Sequence, residues 1–194
     1  STTRVIATGT AMADLAVAGH WPEETTLVWV TGPDHLASVQ EAVEATPWAE
    51  RIRTVPWVDD LGARLAGVDL AIARSGAMFC SELAVAGVPA LLVPFPAAAG
   101  NHQVHNAAAL EAAGAAIMLE ERSMETGDLW EEVLALLAEE ERLLRMAEAM
   151  ASRGRPVGRC ASSNAAGETR TPMPLGATPS RWCVYQFHHR RDGR

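Results

Sequence analysis

The sequence predicts an α/β protein built on a Rossmann-like, doubly wound parallel sheet. Short apolar runs recur between residues 4 and 119, and stretches with helical spacing separate them. The runs are continuously apolar instead of alternating with polar residues, which is typical of strands buried on both faces of a parallel sheet. Gly, Pro, Ser and Asp stand where the runs meet the helical stretches, as expected for turns and helix ends.

Each element has its own signal. Apolar runs predict strands at 4–7, 27–30, 52–55, 70–73, 90–93 and 115–119, and helical spacing predicts helices at 10–18, 35–45, 61–66, 77–86 and 107–113. Asp34 and Ser75 are predicted to cap two of these helices, and Gly87 before Val88-Pro89 to end one. Two amphipathic helices follow, and their buried faces are marked by Leu129, Val133, Leu136 and Leu137, then by Leu143, Leu144, Met146 and Met150.

The segment 69–106 carries the functional signal. It contains a strand, the turn Ser75-Gly76, a helix and a second strand, so the start of the helix lies at the carboxyl edge of the sheet. Backbone N–H groups and the helix dipole favour an anion there, and phosphate is the expected one. The alternative is that Ser75-Gly76 is only a turn. Glu82 lies on the same helical face and offers a carboxylate to a ribose diol, although a glutamate on a helix is more often simply solvated.

Several motifs occur in a fixed order and together resemble a known family. They are Arg74-Ser75-Gly76-Ala77, Ser81-Glu82-Leu83, Gly87-Val88-Pro89-Ala90, Val93-Pro94, Asn101-His102-Gln103, Asn106-Ala107 and Ala113-Gly114-Ala115-Ala116. Over residues 27–150 the chain is similar to the C-terminal, donor-binding domain of the MurG family, glycosyltransferase family 28. The resemblance implies one half of a GT-B fold and transfer of N-acetylglucosamine from UDP-GlcNAc to a lipid-linked muramyl-pentapeptide. It also implies a cytoplasmic enzyme, peripheral to the inner face of the membrane.

The resemblance also assigns roles to residues. It implies that the backbone at Val58 contacts uracil, that Glu82 binds the ribose, and that His102 and Gln103 bind the sugar. The UDP contacts it implies are Val58, Ser75, Gly76, Ala77, Met78, Phe79 and Glu82. Trp57 and Asp59 beside Val58 are alternatively a core aromatic residue and a helix cap, while Arg74 is expected to support the sheet and Asn106 to bond within its own loop.

Two features depart from the family pattern. Where the family has a Gly-Gly-Ser-x-Gly-Ala phosphate loop, this chain has Thr8-Gly9-Thr10-Ala11-Met12-Ala13. The glycine-rich, histidine-containing loop of the family's other domain, which serves the lipid-linked acceptor, has no counterpart here. We therefore assign no catalytic base and expect an N-terminally truncated chain that is inactive alone. The alternatives are a stand-alone nucleotide-sugar subunit that docks on a membrane partner, and another sugar-nucleotide enzyme of the same architecture.

The charge and the cysteine content of the chain argue against nucleic-acid binding, a disulfide framework and a metal site. Residues 1–152 contain 22 acidic residues and 8 arginines, whereas residues 153–194 contain 2 and 8. The acidic body does not favour nucleic acid. Three cysteines without CxxC spacing indicate neither a disulfide framework nor a metal site, and Cys80 is expected in the core. No cofactor is implied.

Residues 153–194 differ in composition from the rest of the chain, which predicts a separate region. We expect a UDP-sugar-binding domain at 1–152 and a disordered or irregular basic tail at 153–194, where hydrophobic periodicity ends. One interpretation is a tail that touches acidic membranes or RNA. The other is that 167–172 and 184–189 resemble the conceptual translation of the antisense strand of a tRNA gene, so that the tail is not native to the fold.

Overall fold

A computed structural model describes residues 2–9, 21–124 and 128–154 of the chain. Within these ranges six strands form one sheet in which every pairing is parallel, in the order β3-β2-β1-β4-β5-β6. The strands are β1 Thr3–Thr8, β2 Thr25–Val30, β3 Ile52–Val55, β4 Leu70–Ala73, β5 Ala90–Leu92 and β6 Ala116–Met118. The register places Val5 of β1 opposite Leu27 of β2 on one side and Leu70 of β4 on the other.

The helices cover both faces of this sheet. They are α1 Leu36–Glu44, α2 Leu61–Leu65, α3 Ala77–Ala86, α4 His102–Ala112, α5 Asp128–Ala138 and α6 Glu140–Arg153. Short 3-10 turns occupy Pro33–His35, Ala49–Arg51, Ala99–Asn101 and Glu121–Met124. None of the described helices combines the length and the apolar composition that a membrane crossing requires.

Two hydrophobic clusters, one on each face, hold the layers together. The first contains Trp21, Trp29 and Trp130, whose rings meet edge to face at centroid distances of 5.7 Å and 6.3 Å. The second packs α3, α4 and α6 on the other face and includes Leu83 and Met150, both fully buried. Alternation along the strands sends neighbouring side chains to opposite clusters, so the sheet is a shared inner layer.

The structure confirms the predicted fold class, and β3, β4 and α3 have the predicted bounds. It differs at one helix start, because α4 begins at His102 instead of residue 107. The predicted helix 10–18 and most of the loop 8–13 lie outside the described residues. So does the predicted tail, except for Arg153 and Gly154.

Two predicted caps are wrong, and so is the alternative interpretation of Asp59 as a cap. No side chain caps the turn after Gly32 or the start of α3, so neither Asp34 nor Ser75 has that role. At α2 it is Asp60, not Asp59, whose Oδ1 accepts the backbone N–H of Ala63 at 2.9 Å. Trp57 is 56% exposed, which excludes the interpretation of a core aromatic residue.

Candidate functional site

The loops that follow parallel strands all leave the same edge of the sheet. The sheet order reverses between β1 and β4, because the chain proceeds outward from β1 to β3 and from β4 to β6 in opposite directions. Crevices outside the carboxyl ends of strands at such a reversal are the usual ligand sites of doubly wound proteins. Gly9 follows β1 at this point, and Arg74-Ser75-Gly76 follows β4.

The start of α3 presents free backbone donors to this crevice. The backbone N–H of Cys80 makes the first bond of the helix, to the carbonyl of Gly76 at 3.0 Å. Helix geometry therefore leaves the N–H groups of Ala77, Met78 and Phe79 without a partner within the helix. A Cβ placed on Gly76 would have no described heavy atom within 4 Å, so the space before the helix is open. Three donors, the positive end of the helix dipole and open space suit an anion.

Ser75 points away from that space. Ser75 is fully buried, and its Oγ donates to the backbone carbonyl of Gln103 at 2.8 Å. The side-chain amide of Asn106 donates in return to the carbonyl of Ser75 at 2.9 Å. Ser75 therefore joins the α3 loop to the start of α4. Asn106 bonds to the loop after β4, 31 residues away, and not within its own loop as expected.

The two predicted sugar-binding residues have different surroundings. Gly100 and Asn101, with φ values of 63° and 52°, turn the chain sharply into α4. His102 then lies exposed in the first turn of the helix. Gln103 is only 7% exposed, and its Oε1 accepts the backbone N–H of Phe95 at 2.9 Å. Gln103 thus fixes the loop after β5, while His102 remains at the surface.

Arg74 braces the same loop from the other side, which confirms its predicted supporting role. Its Nη1 donates to the carbonyls of Val93 and Pro94 at 3.3 Å and 3.2 Å, and its Nη2 pairs with Glu121. The guanidinium carbon also lies 5.4 Å from the centroid of the Phe95 ring. The ends of β4, β5 and β6 are therefore tied together behind the crevice.

Glu82 lies on α3, six residues after Gly76. Partial burial, and then the nearby Asp60 carboxylate, raise the pKa of Glu82 above its usual range. α2, whose first turn is capped by Asp60, packs directly on α3, so the segment that leads into α2 from Val58 approaches the helix that carries Glu82. A base contact at Val58 and a ribose contact at Glu82 require this proximity.

Metal-ligand clusters and reactive thiols were the other candidate features among the described residues. Burial raises the pKa of the Cys80 thiol to about 11, which confirms that Cys80 is a core residue and not an active thiol. Among the described residues no group of three or more His, Cys, Asp or Glu side chains is arranged to hold a metal ion.

Sequence reasoning missed two residues of this arrangement. Glu121 forms the ion pair with Arg74 from a position 47 residues away, and no local pattern indicates such a pairing. Asp60 is adjacent to the predicted cap Asp59, and the sequence signal for a cap was present but displaced by one position.

The strand order, with its reversal between β1 and β4, defines a domain of the doubly wound α/β class, in which ligands commonly bind at the reversal. Residues 8–158 match the family model of the glycosyltransferase family 28 C-terminal domain, and the chain belongs to this family. The resemblance inferred from the sequence is therefore confirmed.

Relatives of known function cover most of the described part of the chain. The UDP-N-acetylglucosamine--N-acetylmuramyl-(pentapeptide) pyrophosphoryl-undecaprenol N-acetylglucosamine transferase of Salinibacter ruber is 42% identical over 130 residues, which are 67% of this chain and 34% of the relative. The enzyme of the same name from Anaeromyxobacter sp. is 44% identical over 127 residues, 65% of this chain and 32% of the relative. The chain thus spans about a third of the length of these relatives.

Solved structures agree on the fold. MurG of Acinetobacter baumannii superposes with a TM-score of 0.72 at 24% identity, covering 80% of this chain and 47% of that one. The glycosyltransferase VinC, solved in complex with dTDP, superposes with a TM-score of 0.59 at 21% identity, covering 79% of this chain and 38% of that one. Both are GT-B glycosyltransferases, so the architecture is that of one GT-B domain.

Proposed function

We propose that this chain is the donor-binding domain of a transferase that moves N-acetylglucosamine from UDP-GlcNAc to a lipid-linked peptidoglycan precursor. The observation that carries the proposal is the joint placement of the open start of α3 and of Glu82 beside the Val58 loop. These two features match the diphosphate and the nucleoside of one ligand. The names of the relatives supply the sugar and the acceptor class.

The diphosphate is bound by backbone groups in this proposal. The N–H groups of Ala77, Met78 and Phe79 donate to its oxygens, and Gly76 leaves room for it. In the reaction the acceptor oxygen bonds to the anomeric carbon as the bond from that carbon to the diphosphate oxygen breaks. UDP leaves with increased negative charge, and the helix dipole stabilises it by ~0.3–1 kcal/mol, more where the site is partly buried.

The nucleoside and the sugar occupy the two sides of that helix start. The carboxylate of Glu82 accepts hydrogen bonds from the ribose diol, and backbone groups at Val58 contact uracil. The exposed His102 contacts the sugar, and Gln103 holds the loop that carries it. The acceptor hydroxyl must also lose a proton in the reaction, and none of residues 2–9, 21–124 and 128–154 is assigned as the base.

About two thirds of the length of the relatives lies outside the part that this chain matches, and we expect contacts with the acceptor and the membrane to come from a corresponding part. The chain spans about a third of its relatives, and a GT-B transferase closes its site between two domains. We therefore expect the chain alone to bind UDP-GlcNAc without transferring the sugar. We also expect the complete protein to work at the inner face of the membrane.

The test is calorimetric titration of the 194-residue chain with UDP-GlcNAc and, separately, with UDP-glucose. We expect binding that prefers UDP-GlcNAc, and a loss of about tenfold or more in Glu82→Gln, because a hydrogen bond to a charged group contributes about 1.5–3 kcal/mol. Glu148→Gln is the matched control, since Glu148 is an exposed glutamate on α6. Equal affinity of wild type, Glu82→Gln and Glu148→Gln would exclude the proposed ribose contact, and absence of binding by the folded chain would exclude a donor site.

A further inference from the structure

The arginines of the described residues divide into two groups. Nine arginines lie in these ranges, and five of them have identified partners; Arg153, at the end of α6, belongs to neither group and lies outside the cavity described below. Four form ion pairs with glutamates, and Arg51 donates to the carbonyl of Trp21. By contrast, the guanidinium groups of Arg4, Arg53 and Arg64 form no hydrogen bond or ion pair with any residue in the described ranges, and all three line one cavity.

This cavity, which we call the arginine groove, lies on the face of β1, β2 and β3 below α2. Its volume is about 270 Å³. Strand pairing brings its arginines together, since Arg4 is paired with Thr26 and Arg53 with Val28. Arg64 enters from α2, and the exposed indole of Trp57 forms a wall.

Charge in the groove is uncompensated. Three guanidinium groups line it and no aspartate or glutamate does, although residues 1–152 carry 22 acidic residues. Asp69 lies beside Arg4, but its carboxylate accepts the backbone N–H of Arg4 at 2.7 Å. Like charges in one cavity repel each other, so the groove favours an anion.

The backbone also makes room for one of these cations. Gly67 has a φ of 132°, and a Cβ added there would lie 3.0 Å from Nη1 and 3.1 Å from Nη2 of Arg4. The guanidinium of Arg4 therefore packs against Gly67, whose positive φ already favours glycine. The floor beneath the three cations is apolar and includes Ile6, Val28 and Val55.

From these observations we infer that the arginine groove binds a small organic phosphate, separately from the anion position at the start of α3. Guanidinium groups bind phosphate oxygens in pairs with planar geometry. The apolar floor and the indole of Trp57 suit an organic group attached to that phosphate. The cavity volume admits a ligand of the size of a simple phosphate ester.

The experiment titrates the 15N-labelled 194-residue chain with phenyl phosphate and follows amide and indole signals by NMR. UDP-GlcNAc at saturation keeps the start of α3 occupied. We expect shifts at the Trp57 indole and around residues 64–68, and a loss of affinity of about tenfold in Arg53→Gln and in Arg64→Gln. Both side chains are exposed, so both variants should keep the wild-type spectrum elsewhere.

The charge-matched control is Arg145→Gln, which removes an exposed arginine of α6 outside the groove. It should bind phenyl phosphate as the wild type does. An equal loss in all three variants, shifts confined to residues 77–79, or no shift at all would overturn the inference. Binding to phosphatidylglycerol vesicles without binding of phenyl phosphate would also overturn it in favour of a lipid surface.

The two proposals fail separately. If UDP-GlcNAc does not bind, the proposed donor site is wrong, and the phenyl phosphate titration is then run without it and still reports the groove through Arg53 and Arg64. If UDP-GlcNAc binds but phenyl phosphate does not, only the inference about the groove is wrong.

Discussion

Replacing Ser75 with alanine tests whether this residue serves the ligand or the fold. In the structure its hydroxyl is fully buried and donates to the carbonyl of Gln103 at 2.8 Å, joining two loops that are 28 residues apart. Loss of a neutral hydrogen bond costs about 0.5–1.5 kcal/mol, and a buried acceptor left without its partner costs about 1–3 kcal/mol. We therefore expect Ser75→Ala to lower the free energy of unfolding by about 1–3 kcal/mol.

The assay combines denaturant unfolding with titration of UDP-GlcNAc. A chain of this size loses about 2–4 °C in Tm for each kcal/mol, so thermal unfolding gives a second measure. Ser81→Ala is the control because its hydroxyl also bonds to a backbone carbonyl, that of Ala77 at 2.9 Å, but from an exposed position on α3. Its effect should stay within about 0.5 kcal/mol.

The outcome separates two roles. We expect Ser75→Ala to be less stable while the folded fraction still binds UDP-GlcNAc. The reasoning would be refuted if Ser75→Ala were as stable as Ser81→Ala and bound UDP-GlcNAc far more weakly. That result would mean that the hydroxyl faces the diphosphate and not Gln103.

Three further results are expected. Gly154→Ala should lower the free energy of unfolding by about 1–3 kcal/mol, because the new Cβ would lie 1.9 Å from a backbone carbonyl oxygen of α3. Gly76→Ala should unfold as the wild type does, since its Cβ meets open space, and should bind UDP-GlcNAc more weakly in calorimetry. With the other two cysteines changed to serine, Cys80 should react slowly with iodoacetamide at pH 8, since its pKa of about 11 leaves little thiolate, and quickly once the chain is unfolded. Asp60→Asn keeps a capping side chain but removes the second cause of the raised pKa of Glu82, so NMR titration should give a lower pKa there. UDP-GlcNAc affinity should then persist to lower pH than in the wild type, because the ribose contact needs the ionised carboxylate and is lost as pH falls through its pKa.

The sequence predicted correctly those helices and strands whose bounds depend on residues adjacent to them in the chain. α3 begins and ends where expected because Gly76 precedes it in extended conformation and Gly87 ends it with a φ of 70°, a conformation that glycine adopts without strain. β4 was predicted because Leu70–Ala73 is apolar throughout, and in the structure all four residues are buried. These features depend on neighbouring residues, and so the sequence displays them directly.

The start of α4 was missed because its signal is unusual. His102 and Gln103 are polar residues after a glycine-containing loop, a pattern typical of an exposed turn. In the structure Gly100 and Asn101 both adopt positive φ, and the helix begins directly after them. Gln103 is then buried because its amide oxygen satisfies the backbone N–H of Phe95, a contact that depends on how two loops meet in space.

The candidate site contains two kinds of residue, those that hold its loops together and those that are available to a ligand, and we expect mutations in the two kinds to have different effects. Ser75 and Gln103 use their polar atoms on neighbouring loops, so their replacement should change stability first. Glu82, His102 and the backbone at the start of α3 face the crevice or the surface, so changes there should affect binding first. In the proposed site the diphosphate contacts are backbone N–H groups, so we expect side-chain substitutions to obstruct or displace them without removing them. A family motif therefore marks residues that build the site as well as residues that touch the ligand, and hydrogen-bond partners in the structure distinguish the two.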